Sequence, residues 1–162
     1  MRKVVIVITA LLLFLIDQTV IPFFAINGSY ASVLFTFFAI FALMSDYEDA
    51  VLIGLISGLL QDLYFPYGFG IHTLLNIMLF LGLSRVGKTL KEGKRALPLL
   101  IVSLAQTLKT VILIAIFSIL GISVNFNSVM IIPLYSMVLF LLLYKIVYNF
   151  ERIPVIKKEW KF

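Results

Sequence analysis

The chain contains no cysteine, a single histidine and a single tryptophan, and charged residues make up 13% of its 162 residues. Without cysteine there is no disulfide framework, no thiolate zinc site and no thiol chemistry. One histidine, His72, cannot build a metal site alone. The charged share is about half the ~25% of a soluble domain. What fills the space is apolar: 62% of the chain is hydrophobic even with glycine left out. A soluble fold has too little polar surface to cover itself with this composition. A secreted disulfide scaffold, a disordered chain and a conventional soluble enzyme are excluded, and a polytopic membrane protein is indicated.

A helix crosses the hydrocarbon core with ~20 mostly apolar residues. Six such stretches follow one another: 4–24, 30–45, 50–65, 70–86, 96–120 and 129–150. The expected fold is all-α, one domain of six transmembrane helices over residues 1–150, with a short basic tail at 151–162. The second and third stretches are short, and a single re-entrant hairpin is the alternative for that pair. The first stretch begins with Arg2-Lys3 but lacks a small-residue cleavage site, so it reads as a retained helix.

Lys and Arg set the orientation. They cluster at Arg2 and Lys3, at Arg85 to Arg95, and at Lys145 and beyond. Six spans put all three regions on one side. The intervening loops 25–29, 66–69 and 121–128 carry none. Cytoplasmic loops are the basic ones, so both termini are expected in the cytoplasm. The basic 85–95 segment and Lys157-Lys158-Glu159-Trp160-Lys161 suit anionic lipid headgroups, or docking of a cytoplasmic protein. So few charges pinned at a bilayer do not suit nucleic acid.

Polar residues inside the spans carry the information, because each is costly there. Asp17 and Lys109 both lie ~20 Å along their helices from the cytoplasmic start. They are expected to meet as an intramembrane ion pair, serving helix packing or, on the sharper reading, a proton or ion relay. Lys109 facing a water-filled cavity is the other possibility. In the third span Gly54, Gly58 and Asp62 recur one turn apart on one face. Small residues there let another helix approach closely. The loop that follows, Tyr64-Phe65-Pro66-Tyr67-Gly68-Phe69-Gly70, cannot continue a helix at Pro66, and Gly68 and Gly70 tolerate positive φ. Tyr64 and Tyr67 suit the outer interface. His72 and Asn76 come one turn apart on the fourth span, and His72 is within reach of Asp62 across the hairpin. That pair is a hydrogen-bonded clasp or a pH-sensitive or partner-binding site. No nucleophile–base constellation and no phosphate-cradling loop are evident, so no catalytic residue, cofactor site or metal site is assigned.

The run Gly54-x-x-x-Gly58-x-x-x-Asp62, a short Pro/Gly loop and then Gly70-Ile71-His72-Thr73-Leu74 resembles the central signature of the rod shape-determining protein MreD family. The close resemblance covers roughly residues 50–86; elsewhere only hydropathy, span count and basic ends agree. It implies a bacterial inner-membrane protein of the elongasome that has no enzymatic role and works in cell shape and lateral peptidoglycan synthesis. It implies MreC as the direct partner, with the MreB filament, a RodA-type glycosyltransferase and a class B penicillin-binding protein in the wider complex. It also implies a fold resembling the substrate-binding subunits of energy-coupling-factor transporters. Gly54, Gly58, Asp62, Gly68, Gly70, His72 and Asn76 are the expected partner-binding or helix-packing residues, with the small-residue face receiving a partner's transmembrane helix. The rival function is such a transporter subunit itself, for which Asn125, Asn127, Ser128 and Tyr135 offer a sparse polar lining. The first span lacks the alanine face those subunits usually carry.

Overall fold

A computed structural model describes residues 2–64, 68–90, 96–123, 125–153 and 156. The tail from Lys157, the loop residues Pro66 and Tyr67, and the basic residues Lys91, Lys94 and Arg95 lie outside the described residues. Among those described there are six α-helices and no strand: α1 (Arg2–Thr19), α2 (Val33–Met44), α3 (Tyr47–Leu63), α4 (Ile71–Gly87), α5 (Ala96–Ile119) and α6 (Ser128–Glu151). The six apolar stretches thus each yield one helix. Among the described residues, α5 and α6 alone are long and apolar enough to cross a membrane by length and composition.

The first stretch ends earlier than its hydropathy suggests. After Thr19 the chain turns into a one-turn 3-10 helix, Ile21–Phe24, with Pro22 in its first turn. Proline lacks the N–H that would extend the helix, so α1 stops before it. The chain then makes a tight turn, with Ile26 and Ser29 exchanging both backbone hydrogen bonds at 2.9 Å.

α2 is the hub. Its sequence, VLFTFFAIFALM, is apolar on every side, and every residue from Val33 to Leu43 is buried. A helix without a polar face has to sit in the middle. α2 contacts each of the other five helices. Phe35 packs on Phe80 of α4 at 5.1 Å between ring centres, and Phe37 and Phe41 meet Phe150 of α6 edge-on. At ~1.5 Å per residue α2 is ~18 Å long, too short to cross ~30 Å of hydrocarbon.

The α3–α4 hairpin is the tightest pairing, and glycines make it so. A Cβ on Gly54 would lie 2.8 Å from the Ile77 Cα, and one on Gly58 would collide with the Thr73 Cα. Gly87, whose role sequence reasoning missed, lets the end of α4 press on the Leu43 carbonyl of α2. Beside it Ser84 Oγ donates to the Ser45 carbonyl at 2.7 Å. Large apolar side chains stand exposed on α1 (Val4, Ile8, Leu11, Leu15), α5 (Leu100, Leu104, Leu108) and α6 (Leu134, Val138, Leu141).

One end of the bundle is defined by ion pairs. Arg2 meets Asp49 at 2.8 Å and Lys88 meets Asp46 at 3.5 Å. The start of α1, the start of α3 and the end of α4 therefore share a level.

Candidate functional site

The deep polar residues converge on a buried centre whose organising groups are two aspartates. A helix starts with four N–H groups that have no partner within it, and each needs one where water is absent. Asp17, 4% exposed near the end of α1, supplies two of them for α2. Val33 N–H donates to its Oδ1 at 2.7 Å and Leu34 N–H to its Oδ2 at 3.1 Å. Ser32, the N-cap residue, donates its hydroxyl to Asp17 Oδ2 at 2.5 Å. The same Ser32 accepts from the Phe35 N–H at 3.0 Å, and its carbonyl accepts from Thr36 N–H. The amides of Val33, Leu34, Phe35 and Thr36 are thereby all paired.

Asp62 repeats the device one hairpin later. It is 2% exposed at the end of α3. The backbone N–H groups of His72 and Thr73 donate to its two oxygens at 2.9 and 3.0 Å, and the Thr73 hydroxyl donates at 2.5 Å. The expected clasp between Asp62 and residue 72 is present, but the backbone of His72 makes it, and the second arm is Thr73. Gly70, the N-cap of α4 at φ +100°, turns the chain so that these amides face the carboxylate. Such φ values are open to glycine and strained for other residues. A Cβ on Gly68 would press on the flexible Ile71 Cδ1.

Lys109, on α5, is 4% exposed. Asp17 and Lys109 lie on the same polar centre but do not form the direct ion pair expected of them. No Asp17–Lys109 contact stands beside the ion pairs Arg2–Asp49 and Lys88–Asp46. Lys109 Nζ donates instead to Gln61 Oε1 and to Asn76 Oδ1, both at 2.7 Å, and stands 4.4 Å from the centre of the Phe35 ring. Gln61 Nε2 donates onward to Ser32 Oγ at 3.2 Å, and Ser32 holds Asp17. Asn76 Nδ2 donates to Ser57 Oγ at 3.0 Å and to Gln61 Oε1 at 3.1 Å. The carboxylate and the ammonium are thus joined through Ser32 and Gln61. The charges also balance: two carboxylates face one ammonium and two helix N-termini, each worth about +0.5 of a charge.

Gln61, Ser32, Ser57 and Thr73 hold the centre together and were not assigned from the sequence. A usable signal was present: Ser57 and Gln61 are polar residues one turn apart in an apolar helix, and the starts of α2 and α4 carry the hydroxyl residues Ser32 and Thr73. Gln106, the polar neighbour of Lys109 on α5, does not join the network; its Oε1 has no partner among the described residues. Gly54 and Gly58 are in contact with α4 of the same chain, so the small-residue face is covered and is not open to a partner's helix. No group of acidic, histidine or cysteine side chains able to hold a metal occurs among the described residues.

Gly58→Ala is expected to lower stability by roughly 1–3 kcal/mol, because the new Cβ meets backbone that cannot yield. Gly82→Ala, on α4 with nothing within 4 Å, is the matched control and is expected to be neutral or slightly stabilising. Thermal unfolding of the two variants in the same detergent checks the contrast.

Fold and centre together describe a small all-α bundle with an apolar exterior, whose interior charges tie its own helices together. The family model for rod shape-determining protein MreD matches residues 1–153. The chain belongs to the rod shape-determining protein MreD family, a family of membrane proteins that determine cell shape. No curated protein and no solved structure matches the chain.

Proposed function

We propose that this protein is a membrane scaffold of the elongasome without enzymatic activity, spanning the bacterial cytoplasmic membrane six times with both termini in the cytoplasm. It binds MreC and through it works with MreB, a RodA-type glycosyltransferase and a class B penicillin-binding protein in lateral peptidoglycan synthesis. The observation that carries this reading is the division of labour between interior and exterior. Asp17, Asp62, Lys109, Asn76 and Gln61 are spent on internal hydrogen bonds, while α1, α5 and α6 turn large apolar side chains outward. A body built this way offers a bilayer lateral surface and little else. The orientation is supported by the shared level of Arg2, Asp49, Asp46 and Lys88, which gathers basic segments at one end. The same end suits anionic lipid headgroups.

Because Gly54 and Gly58 are covered by α4, MreC's transmembrane helix belongs on an exterior face. Pull-down of the tagged protein from native membranes is expected to recover MreC and other wall-synthesis proteins, and depletion is expected to round the cells. Recovery of an ATP-driven transport module, or of a bound vitamin, would overturn this reading in favour of the transporter-subunit alternative.

A further inference from the structure

The segment between α1 and α2 has features that a water-exposed loop does not need. It contains no charge: none occurs from Gln18 through Ser45. Phe23 is 87% exposed and Phe24 64%, and Ile26 is exposed beside them. Several of its backbone polar groups are nonetheless paired. Phe23 N–H donates to the Val20 carbonyl, Ala25 N–H to that of Pro22, and Ile26 and Ser29 pair with each other. The Asn27 carbonyl accepts from Asn125 Nδ2 at 2.8 Å, and the hydroxyls of Ser29 and Ser128 meet at 2.7 Å. Non-helical backbone is tolerated at membrane depth only when its polar groups find partners in protein.

Depth arithmetic agrees. Counted from Val4, Asp17 lies ~20 Å along α1, about 10 Å short of the far edge of a ~30 Å hydrocarbon core. α2 starts at that same level, since its first amides rest on Asp17. Residues 20–32 therefore fill the outermost ~10 Å above the start of α2. α6 places the top of this segment: Ser128 lies ~26 Å from Lys145 along the helix, near the outer edge, and Ser29 touches it.

We propose that residues 20–32 form an insert in the outer leaflet, with Phe23 and Phe24 among the acyl chains and the turn at 26–29 at the headgroups. The occupant of this surface is lipid. The two rings stand off the protein as a knob, and fluid chains flow around a knob whereas a partner helix needs a groove. Asp17 acquires its purpose here: a carboxylate cap lets α2 begin below the membrane surface, leaving the outer leaflet to the insert. The inference rests on the membrane-spanning reading proposed above.

The test uses tryptophan depth in vesicles that contain only this protein. Trp160 is the sole tryptophan, so Trp160→Phe gives a silent background for Phe24→Trp, Leu12→Trp and Asn127→Trp. Leu12 is exposed midway along α1, and Asn127 is an exposed residue of the α5–α6 connection. Phe24→Trp is expected to be quenched by lipids brominated on their acyl chains, as Leu12→Trp is, with an iodide quenching constant several-fold below that of Asn127→Trp. Iodide reaching Phe24→Trp while Leu12→Trp stays lipid-quenched would overturn the insert and leave the spanning reading intact. Iodide reaching both would overturn the spanning reading as well. Shielding of Phe24→Trp that appears only when MreC is co-reconstituted would assign the surface to the partner and also overturn the insert.

Discussion

Asp17→Ala is expected to be among the most damaging single substitutions in the molecule, costing roughly 3–5 kcal/mol. The carboxylate accepts from two backbone amides and one hydroxyl. Removing it leaves the Val33 and Leu34 amides without partners in a dry interior, at ~1–3 kcal/mol for each donor left unpaired. It also removes the negative charge nearest the N-terminal end of the hub helix, where the helix dipole favours one. Because α2 touches every other helix, fraying at its start loosens the whole bundle. Ser32→Ala removes the local cap, the bridge to Gln61 and the hydroxyl donated to Asp17 but leaves the carboxylate on both amides, so a loss of about 1 kcal/mol is expected. Asp17→Asn keeps the shape and one acceptor but turns an N–H toward the helix amides, and its effect should fall between the two. SDS titration or thermal unfolding in detergent ranks the three. An Asp17→Ala protein as stable as the parent would mean that water reaches the start of α2.

Much of this was legible beforehand. The helices could be read because a span needs a long apolar run, and lipid-soluble runs admit few alternatives. The register Gly54, Gly58, Asp62 was legible because helical periodicity alone puts the three on one face. What that face packs against was not: the glycine spacing is the same whether the neighbour is another protein or, as here, α4 of the same chain. The equal depths of Asp17 and Lys109 were also readable, since depth is counted along a helix. Whether they touch depends on rotation about each helix axis and on what lies between, and there Ser32 and Gln61 intervene. Hydropathy likewise extended the first helix to Phe24, because phenylalanines score as membrane whether they continue a helix or, after Pro22, leave it.

The substitution Lys109→Met carries the second large effect, and its value lies in combination. Alone it strands the carbonyl oxygen of Asn76, takes from that of Gln61 one of its two donors and leaves two carboxylates opposed only by helix N-termini. Breaking a buried charge system by removing one side costs roughly 3–5 kcal/mol. Two arrangements give similar single losses. If Asp17 and Lys109 were independent, one a cap and the other a packing device, the losses in Asp17→Asn/Lys109→Met would add. The bridged arrangement predicts that they do not. Each charge offsets the other through Ser32 and Gln61, so once one is gone the second is already a burden, and removing it costs less. A coupling of about 1 kcal/mol or more is expected from the double-mutant cycle, within the range for residues of one hydrogen-bond network. Gln61→Leu provides the decisive third corner. It removes the bridge while keeping both charges, and the coupling should shrink in its presence. A coupling that persists unchanged without Gln61 would mean that the two charges act on each other directly across the interior.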